Sequence, residues 1–219
     1  MKKMVPLLSI ALTVSSVPAA RAQDVPTLAR SGAVTQVLLT PHGDPDGLIL
    51  RDGTLVRFPP HTVLEPSALR IGSEVHAEGE AAMSPSGITL FDSTVEAANR
   101  RIVDAEAEPS PGTRPPPPHE RPALVPLSVA GKVRVLLSNR EGVIDGFVLE
   151  DGSVVHAGPR AGLSQLGVAP SVQVVASGMG GSYDAGRSLR AETLQVANGP
   201  VLTLERKGPK GPKGAPPPR

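Results

Sequence analysis

The sequence predicts an all-β protein of two small closed barrels in tandem, each carrying a short helix and joined by a proline-rich linker. Three observations carry that expectation. The chain repeats itself at an offset of 99 residues, each copy alternates β-branched runs with glycine and aspartate turns, and eight prolines fall between the copies at residues 104–128.

The repeat runs without a gap from residues 31–103 onto residues 130–202. It sets Val34 on Val133, Leu38 on Leu137, Gly43 on Gly142 and Leu50 on Leu149. Both aspartate-glycine pairs stay in step, Asp46-Gly47 on Asp145-Gly146 and Asp52-Gly53 on Asp151-Gly152. Further along, Val56 matches Val155, Pro60 matches Pro159, Gly79 matches Gly178 and Leu90 matches Leu189. Turn positions and apolar positions coincide together, as expected for two copies of one folding unit.

Within a copy the elements follow in order. Residues 32–40 are rich in β-branched and leucine side chains, and residues 41–46, with Pro41, Gly43 and Pro45, are a turn. Residues 47–51 and 54–58 flank Asp52-Gly53, a dipeptide suited to a tight two-residue hairpin. Val63, Leu64, Ala68, Leu69 and Ile71 then fall at helical spacing before Gly72, and Leu163 with Val168 does the same in the second copy. Val75, Ala77 and Gly79 alternate with His76 and Glu78, the period of a half-buried strand, and a last strand covers residues 87–97.

That order of strand, hairpin, short helix and two more strands is the order of the five-stranded OB barrel, in which closure leaves no strand edge open. The motifs are the glycine-x-valine openings (Gly32, Val34; Gly131, Val133), the paired aspartate-glycine corners, residues 56–61 (Val-Arg-Phe-Pro-Pro-His) and the strand at residues 75–79. On these residues the chain resembles poorly characterised exported bacterial OB-like barrels. In the second copy His156-Ala157-Gly158-Pro159 departs from the pattern. The resemblance covers both copies, implies the fold and carries no activity with it.

The two ends have their own chemistry. Lys2 and Lys3 precede an apolar run over residues 4–14, and Ala20-Arg21-Ala22 supplies a small-residue cleavage pattern before Gln23. This reads as a secretory signal at residues 1–22, cut between Ala22 and Gln23, and predicts a periplasmic or secreted protein. The run is shorter than the about 20 residues that span a bilayer, so no transmembrane segment is expected. With no cysteine there is no lipoprotein anchor, disulfide or thiol chemistry. Residues 206–219 carry Arg206, Lys207, Lys210, Lys213 and Arg219 with no acid, whereas residues 23–205 hold 14 basic against 21 acidic side chains. The tail over residues 203–219 reads as disordered and cationic, able to touch an anionic surface through those five residues, or else as a solubilising end with no specific partner. The linker at residues 104–128 reads as an extended spacer that holds the barrels apart, a proline-rich recognition peptide being the alternative.

Chemical constellations are sparse. His42, Asp44 and Asp46 cluster near His61 and His76, but the calcium-loop pattern is fragmentary and the histidines do not recur in the second copy, so these carboxylates read as turn residues. Gly162-Leu163-Ser164-Gln165-Leu166-Gly167 misses the nucleophile-elbow spacing. Gly178-Met179-Gly180-Gly181-Ser182 lacks the lysine of a phosphate loop and reads as a turn between strands. Single-stranded nucleic acid is bound by aromatic stacking in a basic groove, yet only Phe58, Phe91, Phe147 and Tyr183 are aromatic, and Lys132, Arg134 and Arg140 are the one basic grouping. No catalytic residue, cofactor or metal ligand is assigned. The expectation is a non-catalytic envelope module binding a protein, glycan or small ligand. The alternatives are binding of nucleic acid or another anionic polymer through barrels and tail, and an enzyme of unknown type, which needs polar groups of both barrels to meet in a cleft.

Overall fold

The computed structural model describes residues 26–106 and 121–204. The export signal with Ala22 and Gln23 lies outside the described residues, as does most of the linker, residues 107–120.

The first copy contains β1 (Thr27–Leu39), β2 (Pro45–Leu50), β3 (Leu55–Arg57), β4 (Glu74–Ser84), β5 (Gly87–Ala97) and β6 (Arg100–Val103). β1 is long enough to serve two neighbours. Its first half pairs with β4, from Thr27 on Glu80 to Ala33 on Glu74, and its second half pairs with β2, from Val34 on Leu50 onward. A register shift between Val34 and Gln36 marks the bend, as bulges do at barrel corners. The sheet closes because β3 runs parallel to β5, with Leu55 on Thr89 and Val56 on Leu90. The resulting ring is β1-β2-β3-β5-β4, the five-stranded OB-like barrel that the sequence predicts.

The second copy repeats this with β7 (Val125–Ser138), β8 (Ile144–Leu149), β9 (Val154–His156), β10 (Gln173–Tyr183), β11 (Gly186–Val196) and β12 (Val201–Thr203). β9 and β11 close it in parallel, and β7 bends between Val133 and Val135. Both first strands begin ahead of the repeat in the sequence, at Thr27 and Val125, because the opposing strand offers pairing partners that far back.

Three local expectations are corrected. Asp46-Gly47 and Asp145-Gly146 lie inside strands, and Asp52-Gly53 and Asp151-Gly152 sit in three-residue loops: Gly53 N–H donates to the Leu50 carbonyl at 3.0 Å while Leu50 N–H donates to the Thr54 carbonyl at 2.9 Å. Asp52 accepts from Thr54 N–H and from its hydroxyl, both at 2.9 Å, and only Gly53 takes a positive φ, +87°. This is a type I turn with a glycine bulge. The helical spacing of residues 63–71 resolves into the 3-10 turns Pro60–Thr62 and Pro66–Ala68, and the second copy has Pro159–Ala161. Prolines that start each turn lack the N–H to extend it backward, and Gly162 leaves the third at φ +64°. Residues 178–182 lie inside β10 rather than in a turn. A side chain at Gly178 would place Cβ 2.0 Å from the Arg190 carbonyl, so only glycine lets β10 coil this tightly on β11.

Each barrel has its own interior, with Val34, Leu48, Val56 and Leu90 in the first and Val133, Phe147, Val155 and Leu189 in the second. A third cluster belongs to neither. Leu38, Ile49 and Leu55 of the first copy pack against Leu137, Val148 and Val154 of the second, and all six are buried. These are the same three positions of the repeat, so equivalent residues meet and a pseudo-twofold relates the barrels. The expectation that the linker holds them apart is overturned. Strand alternation is the reason: Val37 and Leu39 point into the first barrel while Leu38 points out, and an outward apolar strip must be covered. Leu137→Ala is expected to destabilise the protein by about 2–4 kcal/mol, measured by denaturant unfolding. A loss no larger than a surface substitution's would mean that the barrels do not need this contact.

Candidate functional site at the seam of the two barrels

Polar groups ring the apolar strip and tie one barrel to the other. The Leu39 carbonyl, at the end of β1, accepts from His156 Nε2 and from Ser188 Oγ, each at 2.8 Å. A carbonyl only accepts, so Nε2 carries the proton. Gln36 donates to the Gly152 carbonyl at 3.3 Å and accepts from Arg134 Nη2 at 3.1 Å. Arg140 ion-pairs with Glu80 and Asp92 of the first barrel, its guanidinium 5.9 Å from the Phe91 ring centre. Of the basic grouping, Arg140 is thus paired to carboxylates of the first barrel, whereas Lys132 and Arg134 are exposed and Arg134 bonds Gln36 across the seam.

Where this packing ends a cleft of about 350 Å³ opens, lined from both barrels. Asp46 and Asp145 both face it, and they are the same position of the repeat, as are Thr40 and Asn139. Arg57, Ser138 and Arg140 add polar groups, and Phe58, Pro59 and Phe91 supply an apolar wall. The loops that carry Thr40 and Asn139 are held alike. Thr40 N–H donates to the Asp44 carbonyl at 2.8 Å, and Asn139 N–H to the Val143 carbonyl at 3.0 Å. Gly43 and Gly142 turn each loop at φ +91° and +76°.

Two buried atoms in this cleft lack partners among the described residues. Asp46 is 8% exposed and its Oδ2 lies 3.5 Å from Arg57 Nη2, yet Oδ1 has no hydrogen bond. Ser138 is 2% exposed and its Oγ is likewise unpartnered. An unmet buried polar atom costs about 1–3 kcal/mol, so two of them on residues that line one cleft are a feature that a ligand's polar groups can relieve. Burial pushes the Asp145 carboxyl above its ordinary value of 3.8. Arg57, His156 and a backbone hydrogen bond oppose the rise without reversing it, and Asp46 reinforces it.

A second groove, about 520 Å³, runs along the outer face of the first barrel. Glu78, Glu80, Asp92, Glu96, Asp104 and Glu106 line it beside His76 and Arg101, with Glu80 and Asp92 paired to Arg140 and Asp104 to Arg101. The matching groove of the second barrel is lined by Leu127, Ser177, Met179 and Thr193 with Glu192 its one acid. The copies have diverged in charge here.

Of the histidine and carboxylate grouping noted in the sequence, Asp44 is a turn residue whose Oδ2 lies 3.4 Å from Thr40 Oγ1. Asp46, expected in the same role, instead lies in β2 and lines the seam cleft. His76 shares a 2.8 Å hydrogen bond with Ser31 in the acidic groove. No three such side chains converge as a metal would need among the described residues. The basic tail, Arg206, Lys207, Lys210, Lys213 and Arg219, lies outside the described residues. Sequence reasoning missed Arg57, Ser138, Asn139 and Asp145 as site residues. The alignment of Asp46 with Asp145 was the available signal, but turn chemistry accounted for it.

No protein-family model, curated protein or solved structure matches the chain. The chemistry of the cleft therefore carries the functional reading.

The raised carboxyl gives a test with a definite sign. A folded-state pKa above the unfolded one means that Asp145 favours folding when protonated, and this contribution is lost as pH rises through the folded pKa. Asp145→Asn is expected to be more stable than wild type at about pH 7 and to converge with it below about pH 4. Thermal melts across that range check it, and a variant that is less stable at neutral pH would contradict the buried assignment.

Proposed function

We propose that this chain is a non-catalytic, exported binding module whose ligand sits in the seam cleft and is a polyhydroxylated molecule such as a glycan unit. The observation that carries this is the pair of buried, unpartnered atoms, Asp46 Oδ1 and Ser138 Oγ, on residues that line one cleft from opposite barrels. Asp46 can only accept, so its occupant brings a donor. Ser138 can donate or accept, as can a sugar hydroxyl. Phe58 and Phe91 offer apolar faces to a ring's C–H side, while Thr40 and Asn139 supply further polar contacts. The site mixes three aspartates with two arginines and suits a neutral ligand better than a polyanion.

Binding is tested by titrating the purified protein with neutral mono- and oligosaccharides under calorimetry. Asp46→Ala is expected to weaken a binder at least about tenfold, one hydrogen bond to a charged group being worth about 1.5–3 kcal/mol. Equal affinity in wild type and variant would remove the seam as the site.

A second reading rests on Asp145. A carboxyl whose pKa burial raises, lining one cleft with Asp46, is the layout of an acid and base pair for hydrolysis. Product formed from a bound saccharide, and abolished by Asp145→Asn, would favour this enzyme over the binding module. For nucleic acid the carboxylates of the first barrel's groove are a repulsive surface, so an anionic polymer would have to be held by the tail.

Export to the periplasm or medium is supported by Lys2, Lys3, the apolar run and Ala20-Arg21-Ala22. Contact of the tail with an anionic envelope surface is supported by its five positive charges without an acid. Mass spectrometry of the protein from its native host is expected to find Gln23 at the N-terminus, and an intact residue 1 would rule the signal out.

A further inference from the structure

The pseudo-twofold gives each barrel a visiting hairpin from the other, and the two visits differ. The β10–β11 hairpin reaches over the first barrel, where the Tyr183 hydroxyl donates to the Pro41 carbonyl at 2.7 Å. The Tyr183 ring lies on Gly43, where a Cβ would come within 2.5 Å of it, and packs with Ala185 against the first barrel's core. On the other side the β4–β5 hairpin reaches over the second barrel, where Leu136 N–H donates to Ser86 Oγ at 2.8 Å. By the repeat, Tyr183 corresponds to Ser84, Gly43 to Gly142 and Pro41 to Arg140. Ser84 does not fill the space. Its hydroxyl turns back to the Gly87 carbonyl at 3.0 Å, and no atom lies within 4 Å of where a Cβ on Gly142 would be.

Beside the equivalent position on the other side lies a cleft of about 430 Å³, with Gly142, and Pro85 of the facing hairpin, in its lining. Pro85, Gly142, Val143, Ile144 and Leu163 form its apolar part, and Arg160 stands exposed at its mouth. Arg160 makes no ion pair among the described residues. The cleft continues the established contact between barrels and shares no residue with the seam cleft.

We infer that this cleft binds a small aromatic acid, with its ring where the repeat places Tyr183 in the other copy and its anionic group on Arg160. Volume suits a ring with one or two substituents, small-ligand sites starting at about 300 Å³. The charge of Arg160 selects an acid over a neutral ring.

The probe is 4-hydroxybenzoate, titrated into the full chain by calorimetry or followed by NMR shifts, with cyclohexanecarboxylate and benzyl alcohol as controls. Wild type is expected to bind 4-hydroxybenzoate saturably and both controls more weakly. Arg160→Gln should weaken the acid about threefold, as for an exposed charge pair, and leave benzyl alcohol unchanged. Filling the cleft needs two changes, because Ala82 stands where Gly181 makes room for the tyrosine, a Cβ there lying 2.4 Å from its hydroxyl. Ala82→Gly with Ser84→Tyr should abolish binding and raise the melting temperature. Should that pair fold poorly, Val143→Glu at a position 43% exposed places a carboxylate in the mouth and should repel the probe. No saturable binding by wild type, binding unchanged in the filled or Val143→Glu variant, or cyclohexanecarboxylate binding equally well would each overturn the assignment.

Discussion

A five-stranded barrel buries one face of its strands and exposes the other, and here the exposed face of β1 to β3 is apolar at Leu38, Ile49 and Leu55. Covering that strip with the same strip of the second copy is the interaction on which the rest depends. Each of these side chains contributes roughly 1.5–3 kcal/mol when buried, whereas an exposed ion pair such as those of Arg140 contributes about 0–1 kcal/mol. The apolar contact therefore holds the barrels together and the ion pairs fix their angle. With the strip sealed, Gln36, His156 and Ser188 sit in a dry margin where their hydrogen bonds to the opposite barrel count for more than in water.

The seam cleft is what remains where this margin stops. Asp46 and Asp145 arrive there because each is the second residue of a strand that flanks the contact, one from each copy. Their surroundings differ, since Arg57 ion-pairs with Asp46 while both Arg57 and His156 act on Asp145, so two copies of one residue stand in unlike settings. The grooves on the outer faces show the same divergence. Carboxylates crowd the first, and by the repeat Ser177, Met179, Ala191 and Gln195 of the second stand where Glu78, Glu80, Asp92 and Glu96 stand in the first.

Much of the fold was legible in the sequence because it is written in backbone geometry. Glycine at positive φ, aspartate able to bond its own turn and alternating apolar residues act locally, and the repeat doubled each signal. The helix was not legible, since the spacing of Val63, Ala68 and Leu69 fits 3-10 turns interrupted by Pro66 as well as one helix. The contact between barrels was missed for a different reason: composition shows that Leu38 is apolar but not which body covers it, and the prolines of the linker pointed the other way. The site was legible only as a matched pair of aspartates. Its other members, Arg57, Ser138 and Asn139, are ordinary surface residue types until the barrels meet.

A dimer of identical halves must make every change twice, once in each half. Two halves in a single chain are free of that constraint. The hairpin tips record the freedom: a tyrosine and the glycine that accommodates it occur at one, a serine and an alanine at the other. One corner of the molecule is thereby sealed by the chain itself while its mirror position stays open to whatever the surroundings supply.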